Sequence, residues 1–88
     1  MARIHQLINE INELKNELSH RTGIQIHKIL EGNQKLFLEH IDKDSFTPIF
    51  NSFERLADAN AREFMSPDYK REFQLSADLL SFYLNRVI

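Results

Sequence analysis

The chain has no cysteine, no tryptophan, and only two glycines and two prolines. Without cysteine, disulfides and thiolate metal sites are excluded, and a reducing compartment suits the protein. Gly23 and Gly32 are too few and too far apart to build a glycine-rich loop that cradles phosphate, and no G-x-S-x-G turn exists to carry a nucleophilic serine. No window approaches the ~18 consecutive apolar residues of a membrane span. The opening MARIHQLINE has no apolar run of signal-peptide kind, so a cytoplasmic location is expected. Charge of one sign is also missing. A net charge of −2 with a pI near 6.0 supplies no long-range attraction to nucleic acid or anionic lipid.

What remains is a short chain rich in apolar helix formers. Its 88 residues are 42% hydrophobic and 27% charged, with seven phenylalanines. That is enough apolar surface to offset the entropy of ordering. The absence of internal repeats, linkers or low-complexity stretches predicts one helical domain over residues 1–88.

The pattern predicts an all-α fold: a small four-helix bundle with an N-terminal heptad helix and a C-terminal helical hairpin. In residues 3–21, Ile4, Leu7, Ile11, Leu14 and Leu18 alternate three and four apart, the a/d spacing of a coiled coil. In that frame Glu10 falls at g and Lys15 at the following e, where they would bridge two parallel copies. Ile8 widens the stripe toward the rest of the chain. Arg21-Thr22-Gly23 reads as a helix end. A second helix is expected over 24–41, with Ile26, Ile29, Leu30, Phe37 and Ile41 on one face and a break or kink at Gly32-Asn33. Asp42 to Ser45 has loop character. Thr47-Pro48 then reads as a cap followed by a first-turn proline, opening a third helix over 48–64. Asn60 falls inside the apolar arc of that helix, where burial would oblige it to find a partner.

The last helix, 67–86, has the plainest start signal. Ser66 caps it, Pro67 occupies the first turn, and Asp68 faces the positive end of the helix dipole. Its apolar arc is about 220° wide, roughly twice what an ordinary surface helix needs. One side, around Phe73, Leu80 and Leu84, is expected to pack on the third helix. The other side carries Leu75, Leu79 and Phe82, which have no obligatory neighbour.

Histidines, acids and bases offer few chemical constellations. Glu17 and His20 have the Glu-x-x-His spacing of di-iron carboxylate bundles, but no second copy of the motif exists to complete a site. From Asp42, the sixth and twelfth positions are Thr47 and Phe53 rather than Gly and Glu, so the segment does not match a calcium loop. Eleven lysines and arginines are interleaved with thirteen acids, and no basic stripe forms. Arg21 and His27 stand in an R-x5-H arrangement. That spacing resembles the catalytic Arg-x(4–6)-His element of the HEPN family of helical ribonucleases. The resemblance covers seven residues, with Thr22 where the family often has a polar amide. It implies that Arg21 and His27 act on RNA at a dimer interface.

The reading that best fits is a protein–protein interaction module without cofactor, metal or catalysis of its own: a small oligomeric regulator, adaptor or inhibitor. Its expected partners are itself, as a homodimer, and a second protein. The expected interface is Ile4, Leu7, Glu10, Ile11, Leu14, Lys15 and Leu18 of the heptad helix, with Leu75, Leu79 and Phe82 of the last helix. A dimeric nucleic-acid binder and an HEPN-like ribonuclease are the alternatives.

Overall fold

The computed structural model describes residues 3–86. Six helices follow one another along these residues: α1 (Arg3–Leu14), α2 (His20–Gly32), α3 (Gln34–Leu38), α4 (Lys43–Asp58), α5 (Ala61–Phe64) and α6 (Pro67–Asn85). The principal extents are 38 × 24 × 20 Å. The expected all-α bundle is what forms, but three of the four expected helices are divided or shortened. In two of them a side chain that caps the next helix start, Ser19 or Asn60, marks the boundary.

The heptad helix ends at Leu14 rather than near Arg21 because a new helix starts at Ser19. The Ser19 hydroxyl accepts from the Thr22 N–H at 3.2 Å, and the Thr22 hydroxyl accepts from the Ser19 N–H at 3.3 Å. This is a reciprocal capping box. The Thr22 hydroxyl also donates to the Glu17 carbonyl at 2.6 Å. A continuous helix would have used that carbonyl for the Arg21 N–H. Thr22 is buried, so the box is part of the core. The expected helix end at Thr22-Gly23 is therefore a helix beginning.

Gly23 lies in the first turn of α2 with ordinary right-handed backbone. A Cβ built there would meet the Phe73 ring at 3.6 Å and Leu56 at 3.9 Å, ordinary van der Waals contact, so α2 packs on α4 and α6 here. Helix α2 stops at Gly32, and Asn33 turns its side-chain amide back to the Ile29 carbonyl at 2.8 Å. The second expected helix thus divides at Gly32-Asn33, and α3 follows as a separate short helix. Nothing stands within 4 Å of a Cβ placed on Gly32. Gly32→Ala should therefore raise stability by about 0.5–1 kcal/mol through helix propensity and a less disordered unfolded chain. Urea denaturation followed by circular dichroism measures this, and a loss of stability would contradict the open site.

Asp42, not Thr47, caps α4: its carboxylate accepts from the Ser45 N–H at 2.9 Å. Pro48 consequently lies inside the helix, where it removes the bond to the Asp44 carbonyl. Both residues are exposed, so water can take that carbonyl. The early start brings Phe46 into line with Ile49, Phe53 and Leu56, and all four are buried. Their burial outweighs one lost backbone bond.

The third expected helix is interrupted near its end. Asn60 is exposed and caps α5, accepting from the Glu63 N–H at 2.7 Å while the Glu63 carboxylate accepts from the Asn60 N–H at 3.0 Å. Helix α6 begins as its sequence predicts, with Ser66 accepting from the Tyr69 N–H at 3.4 Å and Pro67 in the first turn.

The core is a layer of aliphatic side chains around two aromatic files. Phe37, Phe46, Phe50 and His27 follow one another at ring separations of 6.0, 5.8 and 5.4 Å. Phe53, Phe73, Phe64 and His20 form the second file at 6.0, 6.0 and 5.6 Å. The first two contacts of the second file are edge-to-face, the favoured geometry for ring pairs. The most extensive helix contacts are α2 with α4 and α4 with α6. Helix α1 closes the core with Ile4, Leu7, Ile8 and Ile11, all buried.

Candidate functional site

The expected interface residues separate into two groups. Ile4, Leu7 and Ile11 are 0–3% exposed, in the cluster formed with Leu30, Phe53, Leu80 and Leu84. Their a/d spacing is satisfied by the chain's own core, which leaves no seam for a second copy. Leu14 is half-buried at the end of α1. Leu18 lies beyond the helix in the turn before α2, more exposed than buried neighbours of the same stripe. The heptad frame therefore does not extend to Lys15 or Leu18, and the Glu10–Lys15 arrangement of a parallel coiled coil is not built. Glu10 instead lines a shallow groove with Glu13, Leu14, Gln25, Lys28 and Ile29.

Leu75, Leu79 and Phe82 behave differently. They are 59%, 50% and 56% exposed, so helix one of the same chain does not cover them. Their spacing of four and three places them on one line along α6. The buried residues of the helix, Phe73, Ala77, Leu80 and Leu84 among them, project on the opposite side at about 100° per residue. Helix α6 thus has two apolar faces, and the fold consumes one.

The open line is bounded by charge. Toward the start of the helix it carries Asp68 and Glu72, with the exposed Arg71 on its other flank, and toward its end Arg86, whose guanidinium stands 5.7 Å from the centre of the Phe82 ring. That is a cation–π distance. Glu72 is anchored by α4: the Arg55 Nε donates to its carboxylate at 3.0 Å, and a second guanidinium nitrogen reaches the same oxygen. The hydrogen bond and charge of Glu72 raise the Arg55 pKa above its ordinary value. The pair fixes the edge of the line without neutralising Arg86. Among the described residues no carboxylate forms an ion pair with Arg86.

The arrangement required of an HEPN-like site is not assembled within one chain. Arg21 is exposed and paired with Glu17 at 3.0 Å. His27 is half-buried against Phe50, and its Nε2 is enclosed without a hydrogen-bond partner. Six residues apart on the same helix, the two project about 120° from each other. The Glu17–His20 pair fares similarly, since the His20 Nε2 is enclosed beside Phe64. Among the described residues no three histidine, aspartate or glutamate side chains converge as a metal site would need. Among the same residues, no helix is long and apolar enough to cross a membrane. Lys28, a member of the dispersed basic set, shares its groove with Glu10 and Glu13.

Compared with protein-family models, with curated proteins and with solved structures, the chain matches none.

Proposed function

We propose that the chain is a protein–protein interaction module, a small regulator, adaptor or inhibitor that works by occupying a surface of another protein. The supporting observation is the open apolar line of α6. Exposed apolar residues scattered singly are ordinary, as Leu38 and Met65 are here. Three in line on one helix, flanked by charge, have the form of a docking ridge. Phe82 is the anchor of the three, because a large ring under a guanidinium gains most from entering a partner's pocket. A cytoplasmic setting accords with the lack of cysteine.

The test is affinity capture from the cells that make the protein, using the wild type and the Leu75→Asp/Phe82→Asp double variant. Both substitutions are at exposed positions, so the variant's thermal unfolding should match the wild type within a few degrees. Proteins held by the wild type should be depleted at least tenfold by the variant, in line with the cost of burying two unpaired carboxylates. Retention of the same proteins by both would refute a docking role for this face.

A further inference from the structure

The charges along α6 identify one occupant of its open face. In heptad terms Glu72, Leu79 and Arg86 take successive a positions, and Asp68, Leu75 and Phe82 take successive d positions. At its a and d positions the line is acidic at its beginning, apolar in its middle and basic at its end, with the exposed Arg71 at the flanking g position. Such an order is self-complementary when reversed. A second α6 laid antiparallel, with the two-fold axis near Ala77, sets Leu75 against Leu79 of its copy and Asp68 against Arg86. A parallel pair would set Asp68 and Glu72 against their own copies at one end and Arg86 against Arg86 at the other. We propose that α6 pairs with α6 of a second copy in this antiparallel register, forming an isologous two-fold dimer.

Several features of the chain fit this pairing. Arg86 has no ion-pair partner among the described residues, while Asp68 is exposed in the first turn of the helix. The four leucines of the pair make a central apolar patch, and each Phe82 covers an end of it beside the Glu72 of the other copy. Asp78 lies at the edge of the line near the axis, where it lines a groove with Lys15, a source of opposite charge in each copy. The three apolar side chains expose on the order of 300 Å² per chain, well under the roughly 800 Å² per partner of a stable interface, so the dimer is weak and transient and forms only at high concentration. The pairing deepens the interaction reading and rests on the same face.

Sedimentation velocity over about 1 to 500 µM, a range that extends to high concentration, should show a monomer converting to twice its mass as concentration rises. Leu79→Asp should stay monomeric throughout while keeping its helicity. Because the chain lacks cysteine, the register can be read by cross-linking. The Asp68→Cys/Arg86→Cys double variant should form a disulfide-linked dimer on mild oxidation, whereas Asp68→Cys alone should not, since its two copies would stand roughly 25–30 Å apart at 1.5 Å per residue. Efficient cross-linking of Asp68→Cys alone would overturn the antiparallel register. A wild type that remains monomeric to the highest concentration would overturn self-pairing and leave docking on a different protein intact. A dimer indifferent to Leu79→Asp would place self-association on another face and overturn this pairing.

Discussion

Replacing Phe73 by alanine should come close to unfolding the protein. Phe73 is 1% exposed and packs edge-to-face against both Phe53 and Phe64. Its ring also packs beneath α2, 3.6 Å from where a Cβ on Gly23 would stand. Alanine removes a whole ring from a site where three helices converge on α6. Phenylalanine-to-alanine changes in cores cost about 3–5 kcal/mol, while the total stability of a domain this small is on the order of 5–10 kcal/mol. The melting temperature should fall by roughly 15–30 °C. Phe82→Ala on the same helix gives the contrast. That ring is 56% exposed, so its loss should change stability by no more than about 0.5 kcal/mol. Parallel thermal melts of the two variants measure the difference between the faces of α6, and equal losses would contradict it.

The same contrast separates what the sequence makes legible from what it conceals. Apolar periodicity identifies an all-helical chain, and Ser66-Pro67-Asp68 marks the start of α6 to the residue. Periodicity also divides α6 into a face for the third segment and a face open to helix one or to another chain; only the structure shows that helix one leaves it uncovered. Nor can periodicity say that the a/d spacing of Ile4, Leu7 and Ile11 is answered inside the chain, because seam and core helices bury the same residue types at the same spacing. Ile8, beside that stripe, is the sequence signal for the intrachain answer: it is fully buried, and a narrow two-residue seam has no use for it. The helix boundaries were written in capping boxes. Ser19-x-x-Thr22 and Asn60-x-x-Glu63 each satisfy backbone donors reciprocally. The second has the polar-then-acidic spacing that marks a helix start, yet the apolar arc running through Asn60 masks it. Thr47-Pro48 misleads for the opposite reason. It imitates a start signal, and the Asp42 cap five residues before Thr47, with the burial of Phe46, overrules it.

Ile11→Ala should lower stability by about 2–4 kcal/mol, by the same amount at every protein concentration. The reasoning begins with the length of α1. Its 12 residues are too few for a helix to persist in water on propensity alone. What holds it is the docking of Ile4, Leu7, Ile8 and Ile11, and Ile11 is completely enclosed. Had these residues formed a seam between two copies, their loss would act through mass action. The difference in melting temperature between wild type and variant would then depend on the concentration of chains. Burial within one chain carries no such dependence. Melts of wild type and Ile11→Ala at about 5 and 200 µM, far enough apart for mass action to show, should therefore be separated by the same interval. The α6 variants should behave inversely. Leu79→Asp should leave the melt at low concentration almost unchanged and remove whatever stabilisation the wild type gains as concentration rises. A concentration-dependent interval for Ile11→Ala would return the seam to α1. A constant one excludes α1 as a seam and is the result expected if self-association uses the exposed Leu75, Leu79 and Phe82.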